Sequence, residues 1–287
     1  MRRAAHARSR RPAPAPLPGF ALGLALVVGG PPANAQEANL TPAATQPAKG
    51  RITLKSQYRW TRYIGNDRDV SEHRIDHRLQ FGVSRTVVAQ LTVPTIARVD
   101  LLDGGSDDDD NGLGDARFTM KWRFWQADPG GLDTTRASVF GGVELPTGTG
   151  DLSSHSVDPY MGAVFMIVRG RHGVSQSLSY QFNTGTDRDN IGPGTNADDL
   201  LELRTAYLFR LSPARWGPDS HGAWYLAGES ELFYETSGDT EWLLSPGVLY
   251  EGMRWAGELG VRLPVVQRVE NRPETDWGWY AGLRVLF

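Results

Sequence analysis

Twelve times between residues 51 and 287 the sequence settles into alternation of apolar and polar side chains, and each stretch holds for about 10 to 14 residues. An ordinary globular strand has about 5 to 6 residues. A tilted strand that crosses a bilayer needs about 9 to 11. In "ARFTMKWRFWQ", Phe118, Met120, Trp122 and Phe124 share one face, while Arg117, Thr119, Lys121 and Arg123 share the other. "GVSQSLSYQFN" and "LELRTAYLFRL" repeat the pattern. Alternation also suits a soluble sandwich, so strand length decides between the two architectures.

The stretches fall at 51–63, 73–84, 87–101, 114–126, 135–147, 157–168, 173–185, 199–212, 222–236, 241–252, 255–269 and 275–287. The number is even, as bacterial single-chain barrels require, which puts both termini on the periplasmic side. The expected fold is all-β, a transmembrane antiparallel up-and-down barrel of about 12 strands over 51–287. Expected inner connections are short, as in "SRT", "RGRH" and "MRW". Expected outer ones, 102–113, 148–157, 186–198 and 269–274, are longer. "ADPGGLDTT" and "SPARWGPDS" are long for inner turns. The last stretch carries Trp277, Trp279, Ala281, Leu283, Val285 and Phe287 on one face, up to the final residue. Such a strand must pair with the first to abolish both edges. The spacing of Tyr280, Gly282, Val285 and Phe287 looks like the signal read by the outer-membrane assembly machinery.

Residues 1–35 contain five arginines, an apolar core at 20–30 and the small residues Ala33, Asn34 and Ala35 before Gln36. That is the layout of a secretory signal peptide cleaved after Ala35, too short in its apolar part to span a bilayer. Its loss leaves 25 basic against 33 acidic residues, a formal −8, which argues against nucleic acid as a partner. Cysteine is absent, removing disulfides and thiol chemistry. Residues 36–50 carry no period and read as a flexible periplasmic lead-in. Expected partners are therefore outer-membrane lipid and lipopolysaccharide, the assembly machinery and a small-molecule solute, in the outer membrane of a Gram-negative bacterium.

The inward faces hold charge in two blocks. Lys55, Arg59, Arg74, Arg78, Arg98, Arg117, Lys121 and Arg123 form a basic wall, relieved by Asp76 and Asp100. Glu202, Glu229, Glu231, Glu241, Glu251 and Glu258 form an acidic wall, relieved by Arg204, Arg210 and Arg262. Unpaired ions in a dry interior are costly, so the walls imply either a wet channel or cross-barrel salt bridges that shut it. A charged lumen favours small polar or weakly acidic solutes.

Other candidates read as architecture. The adjacent Asp107, Asp108, Asp109 and Asp110 lack the spacing of a calcium loop and suit a solvated outer tip. His73 and His77 share a strand face but have no third ligand nearby in sequence, so no metal and no cofactor is expected. Ser153, Ser154, His155 and Ser156 supply hydrolase residue types, yet adjacent side chains rarely converge and Gly-x-Ser-x-Gly is missing. A lipid hydrolase is thus an alternative, as is a structural or adhesive barrel with a plugged lumen; no enzyme activity is expected.

"NGLGDARFTMKWRF" followed by "FGGVELPTGTGD" resembles outer-membrane proteins of the MetA-pathway of phenol degradation family, also described as transporters. The matching pieces are Gly112-Leu113-Gly114-Asp115 and Leu145-Pro146-Thr147-Gly148. The resemblance implies an outer-membrane barrel that passes small solutes, aromatic compounds or organic acids in a catabolic context, and it brings no catalytic residues. Read from the residues alone, the glycines permit a turn and Asp115 can satisfy local backbone donors.

Overall fold

A computed structural model of the chain describes residues 37–100, 111–130, 133–185, 191–217 and 220–287. The signal-peptide reading and the four aspartates at 107–110 lie outside these residues.

Twelve long strands form a single antiparallel sheet. They are β1 (Ile52–Gly65), β2 (Arg68–Gly82), β3 (Val87–Asp100), β5 (Ala116–Gly130), β6 (Asp133–Leu145), β7 (Asp158–Arg169), β8 (His172–Gln181), β9 (Leu200–Ser212), β10 (Gly222–Glu235), β11 (Thr240–Gly252), β12 (Trp255–Arg268) and β13 (Glu274–Leu286). The three-residue β4 (Asn111–Leu113) adds to β3 at one rim. Each long strand pairs with its sequence neighbours, and β13 pairs with β1 from Thr53↔Leu286 to Ile64↔Glu274. Phe287 continues the closure by donating its N–H to the Ile52 carbonyl at 2.9 Å. No sheet edge is left between the first and last strands.

Two hairpins are tighter than their sequence suggests. β1 and β2 pair as far as Gly65↔Arg68, around Asn66 and Asp67, which both hold positive φ (53° and 59°). Asn and Asp tolerate that conformation, and a two-residue turn of this hand matches strand twist. The second strand therefore begins at Arg68 rather than at 73, which brings Glu72 into it. "ADPGGLDTT" is likewise mostly strand, since Gly130 pairs with Asp133.

The outer face is apolar and aromatic. Trp122, Phe124, Leu178, Trp224, Trp255, Leu259 and Leu283 are exposed around the barrel. Aromatic clusters gather at both rims: Trp224, Tyr250 and Trp255 at the end carrying the termini, and Trp60 with Trp277 at the end carrying the long loops. This is the girdle arrangement of a bilayer-spanning barrel. A bulge between Arg123 and Trp125 breaks the parity of β5, so Phe124 and Trp125 both face outward.

The terminal end is closed from within. Residues 37–49, expected as a flexible lead-in, instead enter the lumen, reach its middle and return to the rim. Ala43 and Ala44 pack on Val164, Met166 and Val168, an apolar patch on the inner face of β7. Trp216, in the connection after β9, covers a second inner apolar cluster of Leu208, Ala223, Tyr225, Leu249 and Ala256. That packing accounts for the length of "SPARWGPDS".

Candidate functional site

The charged side chains of the inward rows pair along the wall rather than across the lumen. Arg59 and Arg74 stand opposite each other on β1 and β2 and share Asp76, at 2.6 and 2.8 Å. Arg98 bonds Glu72 at 2.8 Å, and Arg117 bonds Glu144 at 2.6 Å and Gln181 at 2.7 Å. On the acidic side Arg262 and Arg204 reach Glu231 at 3.0 and 3.5 Å, and Arg204 also pairs with Glu202. Lys55 meets Glu258 at 3.0 Å because closure leaves only β13 between their strands. Near the loop end Arg272 pairs with Glu235 at 2.8 Å and lies 3.6 Å from Glu241, all fully buried. The two expected facing walls are therefore largely neutralised locally.

What crosses the lumen is the backbone of residues 37–49. Glu229, 2% exposed on β10, accepts N–H bonds from Asn39, Leu40 and Thr41 at 2.6 to 3.0 Å. From the opposite wall, Lys121 donates to the carbonyls of Ala43 and Thr45 at 2.8 and 2.7 Å. Lys55 donates to the Asn39 carbonyl at 2.6 Å, Arg204 to that of Leu40 at 2.9 Å, and Ser175 to that of Pro42 at 3.2 Å. Glu37 pairs with Arg284, which also holds Glu251 at 2.8 Å. Burial pushes the Glu37 carboxyl up, but Arg284 first, then Lys55, Lys121 and Arg78, outweigh it and bring it down to about 2. Tyr280, expected in the assembly pattern, is fully buried on the lumen side. It accepts a bond from Asn39 at 3.1 Å, over Gly260, where any Cβ would strike its ring.

Above this inserted segment lies a cavity of about 340 Å³. Its floor is Glu37, Leu40, Pro42 and Ala43, and its roof is the loop at 192–195 together with Leu152, Ser153 and Ser154. Arg59, Arg74, Arg78, Arg98, Arg117 and Lys121 line it, as do Tyr63, Tyr160, Phe140 and Ile96. Arg59 and Arg78 each have a buried Nε with no hydrogen-bond partner among the described residues, but Arg59 pairs with Asp76 whereas Arg78 makes no ion pair among them. Arg123 does not reach the cavity; it donates to the Arg85 carbonyl at 2.7 Å by the terminal rim. A second cavity of about 60 Å³ lies at the terminal end, between Glu37, Thr53, Gln80, Glu251 and Arg284.

The loop motifs meet at the other end. Asp115 accepts bonds from the N–H of Gly148 (2.8 Å) and Ser154 (2.6 Å) and from the Ser153 hydroxyl (2.9 Å). Burial pushes its carboxyl up, yet these donors outweigh that and hold it below the usual carboxylate range. The reading of Asp115 as a satisfier of backbone donors thus holds, although its donors come from the next loop. Ser156 donates to Asp158 at 3.0 Å, so two of the three serine hydroxyls in the hydrolase candidate are occupied by the carboxylates of Asp158 and Asp115. His73 and His77 sit on the outer face, bonded to Tyr58 and Ser56 at 2.7 and 2.9 Å.

A family model described as "Putative MetA-pathway of phenol degradation" matches residues 43–281, most of the chain. The chain belongs to this family. Among solved structures it is similar to an outer membrane channel from Pseudomonas putida F1, at 12% identity and a TM-score of 0.61, covering 87% of this chain and 100% of that one. At that identity the likeness shows the fold, a closed twelve-stranded outer-membrane barrel. The β domain of the Bordetella autotransporter BrkA follows at 10% identity and a TM-score of 0.49, covering 83% and 100%. An anion-selective porin from Comamonas acidovorans gives 7% and 0.35, covering 83% and 98%. A comparison with curated proteins gives no match.

Sequence reasoning missed the members of the site that lie outside clean alternation. Glu72 fell in what looked like a loop, and Glu37 and Asn39 lay in a segment without period. One signal was available: β7, "DPYMGAVFMIVR", is apolar on both faces, and an inner face rich in Val and Met must be covered by something.

Proposed function

We propose that the protein is an outer-membrane channel for passive passage of small anionic solutes, with its termini on the periplasmic side and no covalent chemistry. The carrying observation is the cavity where Arg59 and Arg74 share the single carboxylate of Asp76 beside the unbonded Arg78 Nε. Cationic side chains in a narrow lumen attract anions and set selectivity. Tyr63, Tyr160 and Phe140 add flat apolar surface, which suits an organic acid with an aromatic body. The family's association with phenol degradation fits an aromatic solute, and the likeness to the outer membrane channel from Pseudomonas putida F1 fits a channel. In planar bilayers with a salt gradient, the reversal potential should report anion preference. Arg78→Glu should shift it towards cations, and 1 M salt should blunt the shift, because screening shortens to about 3 Å. An unchanged potential would count against the basic lining.

The inserted segment favours a second reading, a barrel whose lumen is permanently closed and whose role is structural. On that reading the wild type carries no current and a solute never reaches Arg78. Conductance of the wild type separates the two.

A further inference from the structure

Three cations stand side by side near the terminal end of the lumen. Lys55 on β1 is in register with Arg78 on β2 and with Arg284 on β13. Like charges placed directly opposite one another destabilise a sheet unless an anion relieves them. Lys55 and Arg284 each have a wall carboxylate, Glu258 at 3.0 Å and Glu251 at 2.8 Å, whereas Arg78 has no ion pair among the described residues. The remaining anion comes from the inserted segment: Glu37 pairs with Arg284.

Glu37 also lines both cavities, the large one that contains Arg78 and Lys121 and the small one that contains Arg284 and opens towards the terminal rim. With Gln80 it marks the border between the two cavities. We propose that Glu37 is a built-in competitor for the transported anion: its carboxylate occupies the solute's own cationic constriction, and a small monocarboxylate displaces it to pass. This inference rests on the reading of the barrel as an anion channel.

The competition has two consequences. A solute carboxylate replaces one negative charge with another, so the row of cations stays neutralised throughout and the exchange avoids leaving a bare buried charge. Linkage also requires reciprocity, so whatever releases Glu37 must tighten solute binding, and bound solute must loosen residues 37–46. Glu37→Gln keeps the shape and removes the charge.

The test uses the mature full-length protein with benzoate as the anionic probe and arabinose as the neutral one. Calorimetric titration of benzoate in detergent and liposome permeation of both solutes are measured for wild type and Glu37→Gln. The proposal expects benzoate to bind and permeate severalfold better in Glu37→Gln, with arabinose permeation little changed. It also expects saturating benzoate to speed maleimide labelling of Ala43→Cys in an otherwise wild-type chain. Equal gains for benzoate and arabinose would mean that the segment is merely loosened, and would overturn the proposal. Unchanged benzoate binding would overturn it as well. If neither protein passes any solute while Glu37→Gln still binds benzoate more tightly, the channel reading falls and the competitor site stands.

Discussion

The terminal half and the loop half of the lumen face one problem, charged side chains in a tube of low dielectric, and meet it with different partners. In the loop half, arginines and carboxylates on neighbouring strands neutralise one another, as in Arg98–Glu72 and Arg117–Glu144, and Arg272 from the loop after β12 pairs with Glu235. Space remains between them. In the terminal half, Glu229, Lys55 and Lys121 bind backbone groups of residues 39–45, and the chain itself fills the tube. Side-chain pairs line a wall, whereas a peptide segment with donors and acceptors on both sides can bridge one wall to the other. On the channel reading, resistance to passage should be concentrated in the terminal half.

Removing the bridge should have the largest effect. Deleting residues 37–46 leaves Glu229 without its three backbone donors and opens the terminal half to water, which can hydrate the freed groups. Single-channel conductance should rise steeply and flickering should diminish. Conductance equal to wild type would place the resistance in the loop half, and the contrast between the halves would fail. Gly82→Ala is a milder form of the same test. A Cβ there would strike the Ala48 carbonyl oxygen, so the segment must shift where it turns into β1.

The next effect in size separates lumen from lipid on a single strand. Trp122 is 54% exposed on the outer face of β5, and its neighbour Lys121 binds the inserted segment. Trp122→Arg should cost roughly 2 to 4 kcal/mol of barrel stability if it lies near the bilayer midplane, less towards the rim. Lys121→Glu should leave the outer surface intact and act on conductance through the segment. Urea unfolding in lipid, run beside bilayer recordings, reads both outcomes. A larger stability loss from Lys121→Glu would mean that the segment contributes more to the fold than the lipid face of β5 does.

These contrasts also mark what the sequence makes legible. Every long strand is visible because lipid outside and water or charge inside impose opposite chemistry on adjacent residues, and Trp122 beside Lys121 is that rule in two letters. Strand ends are less visible, since Asn66 and Asp67 make a turn without a glycine between them. The inserted segment is invisible to periodicity. Its bonds to Glu229 and Lys121 use its backbone, which every residue possesses, so no side-chain pattern in 37–49 announces them. Pairing partners are hidden for a related reason: Glu72 and Glu144 neutralise Arg98 and Arg117 through strand register, which composition does not encode.

In the loop half, Asp115 is the smaller counterpart of Glu229, a carboxylate that gathers donors from another segment. Asp115→Ala would leave the N–H groups of Gly148 and Ser154 unpaired, at a cost of about 1 to 3 kcal/mol where they stay dry and less where water reaches them. The loop at 146–157 should then be cut faster by added protease, while conductance changes little. If conductance rises as it does on deleting 37–46, the loop half holds as much of the resistance as the terminal half.

The smallest effect is the most specific to the terminal half, and it concerns pH. Glu37 titrates near 4.5 when unconstrained and at about 2 in its place among Arg284, Lys55, Lys121 and Arg78. A depressed carboxyl contributes stabilisation that is complete above its unconstrained value and is lost as pH falls towards the depressed one. The hold of Glu37 on the cation row should accordingly be lost as pH falls from about 4.5 towards 2. Maleimide labelling of Ala43→Cys does not suit the acid arm, because thiolate is scarce there. Oxygen-quenched fluorescence of a dye attached in advance to that cysteine, at the floor of the cavity, avoids the difficulty. Quenching should rise in the wild type as pH falls below 4.5, and Glu37→Gln should already show the raised level at pH 5, with no step from this site. A step near pH 4.5 in Glu37→Gln as well would assign the acid response to other carboxylates.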